Sequence, residues 1–199
     1  MAQNSIVKPI QLIVIGGSAG SLDVILKLMP ALAPSLPVAI LIVTHRKASS
    51  EDLLVDLLNS RGSWPVREAE EKEPVAPHAI YVAPSDYHLL IEKDFTFSLD
   101  VSEKVNYSRP SIDITFESAA EVYGEGLVAI LLSGANADGV AGMKRVRSNG
   151  GTCVVQDPST AEVSYMPAQA IEQGLAHHIL PAEEMAAFIN GLFTNDKNQ

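Results

Sequence analysis

The chain has 199 residues and a net charge of −10, from 14 Lys and Arg against 24 Asp and Glu. That length gives one domain with a sizeable core, or one domain with an appendage. With 47% hydrophobic and 19% charged residues it is not a disordered chain. The acidic balance, with no Lys/Arg stripe to offset it, argues against a nucleic-acid partner. The single cysteine, Cys153, rules out an intramolecular disulfide and reads as core. The N-terminus shows no secretory signal pattern, and no apolar run is long enough to span a bilayer. A cytoplasmic protein with no direct membrane insertion is expected.

The first strand is the apolar run at residues 12–15 (LIVI), followed by a helix at about 20–33 with Leu22, Ile25, Leu26 and Met29 on one stripe. Pro30, Pro34 and Pro37 crowd its end. A second strand at 38–43 (VAILIV) leads to a helix at about 50–59, which Gly62 stops. Ser49 or Ser50, with Glu51 and Asp52 behind it, reads as a capped start. Residues 67–77, rich in Glu and Pro, read as a surface linker, and 79–83 (AIYVA) as a third strand. Residues 88–92 and 95–100 alternate apolar and polar side chains around Lys93-Asp94, which predicts a β-hairpin off the main sheet.

A polar loop through Asn106 precedes a helix from Ser111 to about 123. The run at 127–132 (LVAILL) has no alternation and predicts a central strand buried on both faces. A helix at 139–148, a strand at 152–155, a helix from about 161 or 166 to 172 and a short strand at 178–180 follow. Pro181 and Glu183 open a last helix, and 195–199 reads as a frayed tail. This alternation predicts an α/β fold: a doubly wound, mainly parallel sheet with helices on both faces and an antiparallel hairpin. One domain, 1–199, with an ordered core at about 11–192, is expected.

Three of the predicted strands end beside chemistry. Ser18 follows the first, His45 the second, and Asp138 the strand at 127–132. In an open parallel sheet such ends open onto one crevice. A hydroxyl, an imidazole and a carboxylate there are the parts of a serine hydrolase. Each has a plainer reading: Ser18 as a helix cap, His45 as a solvated loop histidine, Asp138 as an N-cap for the helix from Gly139. Gly16-Gly17-Ser18-Ala19-Gly20 also invites a dinucleotide reading. That needs G-x-G-x-x-G and an acidic residue after the second strand, where this chain has Ser18 and Thr44-His45-Arg46. Free N–H groups at the start of the first helix and around Ala135 and Asn136 are candidates to receive an oxyanion. The other histidines, His78, His88, His177 and His178, fit the base role less well. No zinc-type ligand spacing is present, so neither metal nor cofactor is expected.

Several short blocks, in order, resemble the catalytic domain of the CheB chemotaxis methylesterases: IGGSAG at 15–20, Thr44-His45, YVAPSDYHL at 81–89, RPSID at 109–113, LLSGANADGVAGM at 131–143, QDP at 156–158, Met166-Pro167 and Ala170-Ile171. The resemblance runs from about 13 to 189. It implies a serine esterase that removes methyl groups from glutamyl methyl esters on chemoreceptor cytoplasmic helices, with glutamine deamidation as a companion activity. It places Ser18 as nucleophile, His45 as base, Asp138 as orienting carboxylate, and Arg109 near the active-site rim as a substrate contact. Asp157 and Tyr165 are weaker rim candidates. The sequence departs from the family pattern at Ala19, Ala135 and Asn136, where threonine, methionine and glycine are usual. Those departures carry the alternative expectation, a catalytically weak or inactive binding module in a signalling assembly. The family's N-terminal receiver domain has no counterpart here, so the expectation is either a protein that stands alone or a separate regulatory protein that supplies the gate.

Overall fold

The computed structural model describes residues 9–45 and 51–194, apart from the side chains of Glu51 and Asp52. The expected cap at Ser49 or Ser50 and the tail at 195–199 lie outside the described residues. Seven parallel strands form one sheet: β1 (Leu12–Gly17), β2 (Ala39–Thr44), β3 (Val66–Glu68), β4 (Ile80–Val82), β7 (Leu127–Leu131), β8 (Thr152–Gln156) and β9 (His178–Leu180). Their order across the sheet is β3-β4-β2-β1-β7-β8-β9. The hairpin of β5 (His88–Ile91) and β6 (Phe97–Asp100) is a separate antiparallel pair.

The helices are α1 (Ser21–Leu28), α2 (Glu51–Asn59), α3 (Ile112–Tyr123), α4 (Val140–Ser148), α5 (Tyr165–Glu172) and α6 (Met185–Gly191). Strand alternation sorts them. Leu12, Val14, Leu41 and Val43 point into one core with Ile112, Phe116, Met143 and Met166 of α3, α4 and α5. Ile13, Ile15, Ile40 and Ile42 point into the other with Ile25, Leu58 and Ile189 of α1, α2 and α6. Burial on both faces explains why β1, β2 and β7 read as unbroken apolar runs.

Two readings need correction. The first helix ends at Leu28 and continues only as a 3₁₀ turn, Met29–Ala31, because Pro30 cannot donate to the helical ladder. Residues 67–77 are not a free linker. Val66–Glu68 pairs with β4 as an edge strand, and the chain then runs beside β6. There Lys72 N–H donates to Phe97 O, Phe97 N–H to Glu73 O and Val75 N–H to Phe95 O, each at 2.9 Å. Apolar residues spaced among glutamates hide this backbone pairing from periodicity.

Candidate active site

The sheet order puts the carboxyl ends of β2, β1 and β7 side by side, with Gly17 opposite Thr44 and Gly16 opposite Leu131. After β1 the chain passes to the α1 face, and after β7 to the α4 face. The crevice between β1 and β7 is therefore a topological switch point, where ligands bind in such sheets. Ser18 follows β1 directly. Its N–H donates to Ser133 O at 2.9 Å, and its carbonyl accepts from Ser21 N–H (3.0 Å) and Ser21 Oγ (2.7 Å). Gly20, at φ 78°, completes the turn, and a side chain there would collide with Glu162. With its backbone so occupied, Ser18 leaves its hydroxyl free of α1, which it does not cap.

The hydroxyl turns instead to His45. Ser18 Oγ lies 3.2 Å from His45 Nδ1, and His45 Nε2 lies 2.7 Å from Asp138 Oδ2. His45 keeps 13% of its side-chain surface exposed and Asp138 none. With Asp138 ionised, Nε2 carries the ring proton and Nδ1 offers its lone pair to the serine. Asp138 does not cap α4. Its carboxylate sits at the N-terminus of α3, taking Ile112 N–H on Oδ2 (2.7 Å) and Asp113 N–H on Oδ1 (3.1 Å). Oδ1 also accepts from Ser111 Oγ at 2.8 Å and from Asn106 Nδ2 at 3.1 Å. Burial pushes the Asp138 carboxyl up, but the bonds from His45, Ile112, Asp113 and Ser111 outweigh it and hold the group below the ordinary carboxylate range.

Ala19 and Ala135 are exposed, and Asn136 is half-buried. Their backbone N–H groups have no hydrogen-bond partner among the described residues. Ser133 Oγ ties the two turns together by donating to Ala19 O at 2.7 Å. Asn136 spends its side-chain oxygen on Asp138 N–H. Arg109 donates through Nη1 to the carbonyls of Val101 and Ser102, both at 2.7 Å, the bonds of a loop anchor. Asp157 accepts from Ser159 N–H at the 3₁₀ turn Pro158–Thr160, and Tyr165 opens α5 half-exposed. Among the described residues no group of three His, Cys, Asp or Glu side chains stands ready to hold a metal ion, and no helix is long and apolar enough to cross a membrane. Beside Ser18, Thr44 and His45 lies an open cleft of about 240 Å³ whose other wall is aliphatic, including Leu22, Ile25, Leu54 and Leu57.

The cradle of Asp138 escaped the sequence reading. Ser111 caps no helix with its side chain; its hydroxyl goes to Asp138. Asn106 and Asp113 carried no role at all. Both RPSID and the loop before it were visible, but nothing in their spacing points to a carboxylate 25 to 32 residues away. Asp113 is the odd member. It accepts from Gly142 N–H at 2.7 Å and Asn106 Nδ2 at 2.9 Å. Even so, burial, with the Asp138 charge adding to it, pushes its carboxyl up to about 6. A raised carboxyl stabilises the fold while protonated and loses that contribution as pH climbs from about 4 to about 6. Asp113→Asn cannot ionise. Its melting temperature relative to the unaltered protein should therefore rise between pH 4 and pH 7 in parallel thermal scans. A constant difference would show that Asp113 does not titrate in that window.

Comparison with known proteins agrees with this architecture. The family model for CheB methylesterase matches residues 13–189. A relative from Leptospira interrogans is 44% identical over 187 residues, covering 94% of this chain and 97% of its own length. The Thermotoga maritima protein-glutamate methylesterase/protein-glutamine glutaminase is 38% identical over 178 residues, which is 86% of this chain and 51% of that longer protein. The crystal structure of the Thermotoga maritima CheB methylesterase catalytic domain superposes with a TM-score of 0.87 at 34% identity, over 93% of this chain and all of that one. The chain belongs to the CheB methylesterase family.

Proposed function

We propose that this protein is a cytoplasmic serine hydrolase that demethylates glutamyl methyl esters on chemoreceptor helices, with Ser18, His45 and Asp138 as its catalytic triad. One observation carries the reading: a single imidazole stands between the Ser18 hydroxyl (3.2 Å) and a fully buried, ionised carboxylate (2.7 Å). Family membership supports the substrate class.

In the mechanism, His45 Nδ1 takes the Ser18 proton as Oγ attacks the ester carbonyl. The oxyanion that forms faces the unpaired N–H groups of Ala19 and Ala135, with Asn136 beside them. Asp138 stabilises the imidazolium through Nε2–H. His45 then gives its proton to the departing methoxide, which leaves as methanol. A water molecule deprotonated by His45 attacks the glutamyl-enzyme, yielding the receptor's glutamate side chain as a carboxylate and the original serine. Glutamine deamidation follows the same steps with ammonia as leaving group. The net charge of −10 repels glutamate-rich helices at long range, so short-range contacts at the aliphatic cleft, or tethering, bring the substrate in.

The test is methanol release from a methyl-esterified receptor cytoplasmic fragment by the unaltered protein. Catalytic release is expected. Saturable binding with no methanol would replace the esterase with a binding module.

A further inference from the structure

Behind the Ser18–His45–Asp138 line lies a bond the reaction scheme does not use. Val105 and Ser108 pair through two backbone hydrogen bonds (3.2 and 2.9 Å) across a two-residue turn, Asn106-Tyr107. Both central residues have positive φ, 51° and 64°, as a type I′ turn demands. Asparagine suits the first position. The second normally takes glycine, yet here holds tyrosine, 97% exposed. The turn's own preference therefore does not account for its geometry. What holds it is the Asn106 side chain, whose single Nδ2 reaches Asp113 Oδ2 at 2.9 Å and Asp138 Oδ1 at 3.1 Å. Nδ2 carries two protons and can serve both acceptors at once.

We infer that Asn106 is a positioning residue for the reaction: its amide clamps Asp113 and Asp138 together, so that Asp138 stays ionised and aimed at His45. The inference rests on the esterase reading above. The charged or titratable groups facing this pair are His45 from the end of β2 and the two carboxylates themselves, with His88 one step behind. His88 accepts Ser111 N–H at 3.1 Å, and Ser111 in turn donates to Asp138. Two buried carboxylates this close compete for a proton. Asp113 already holds its proton more tightly than an ordinary carboxyl. Without the shared donor, both would bind protons more strongly, and Asp138 would be lost as an anion at a higher pH.

The variants are N106D and N106G. Aspartate tolerates the turn and removes the donor. Glycine suits the turn better than asparagine and removes the side chain, so a role in shaping the loop alone predicts little loss from it. Both should lower kcat for methanol release about tenfold with KM within about twofold. Normal kcat in N106G, or a loss confined to KM, overturns the inference. If neither variant folds, the unaltered protein decides by nuclear magnetic resonance. Its Asn106 side-chain amide protons should exchange slowly and shift as pH falls through about 6, where Asp113 gains its proton. Fast exchange without a pH response overturns the clamp. Failure of the esterase reading is separate and shows as no methanol from the unaltered protein.

Discussion

Ser18→Ala is expected to cut methanol release by at least about 10³-fold in kcat while leaving the melting temperature unchanged. The size follows from triad behaviour: without the nucleophile, only binding and the oxyanion donors remain to accelerate the reaction. The neutral stability follows from the turn. The Ser18 backbone, not its hydroxyl, makes the bonds that close the turn into α1, and those survive in alanine. Among the described residues the hydroxyl makes only the 3.2 Å approach to a partly exposed His45. Losing it should cost less than about 0.5 kcal/mol. Two measurements check this: methanol release from the methylated receptor fragment, and thermal denaturation of both proteins. Retained turnover would discard Ser18 as nucleophile. A large drop in melting temperature would mean that the hydroxyl holds the fold, and that lost activity says nothing about chemistry.

The parts of this molecule that were legible in sequence share one property: they depend on periods along a single segment. β1, β2 and β7 announce themselves because both faces are covered, so every position is apolar. Ser18 and His45 are legible because they immediately follow such runs. Asp138 is legible in part, being seven residues past the end of β7. Its true surroundings are not. The sequence suggests a cap for the helix at Gly139, whereas the carboxylate caps α3, whose start precedes it by 26 residues. Gly139, at φ 94°, turns the chain there, and a side chain at that position would strike Leu131 and Ile112. That close approach lets Asp138 reach the N–H groups of Ile112 and Asp113. Tertiary contacts of this kind leave no trace in local spacing. The edge strand Val66–Glu68 was missed for a related reason: it is three residues long, and its stabilisation lies in backbone bonds to β4 that any side chains would permit.

Asp138 differs from Ser18 in serving fold and chemistry together, so its variants should separate in a way that Ser18→Ala does not. In Asp138→Asn the side-chain oxygen settles where Oδ1 now accepts from Ser111, Asp113 and Asn106. The new NH2 then meets Ile112 N–H and His45 Nε2. To accept from that NH2, the imidazole must move its proton to Nδ1, and the nitrogen facing Ser18 can no longer take the serine proton. The expected fall in kcat is about 10³- to 10⁴-fold, the size seen when a triad carboxylate becomes an amide. The donor left facing a donor at Ile112 should cost about 1–3 kcal/mol of stability. Asp138→Ala goes further, stripping the acceptor from five donors that are buried or partly buried, and should cost about 3–5 kcal/mol. Urea denaturation should therefore rank the proteins as unaltered and Ser18→Ala together, then Asp138→Asn, then Asp138→Ala, with all three variants inactive. The pH dependence sharpens the comparison. A carboxyl held below its ordinary range contributes stability above that range and loses it as pH falls. The gap between Asp138→Ala and the unaltered protein should therefore narrow on acidification. A gap that widens toward low pH, or an Asp138→Asn protein with more than a tenth of normal kcat, would show that this carboxylate neither carries a charge at neutral pH nor fixes the tautomer of His45.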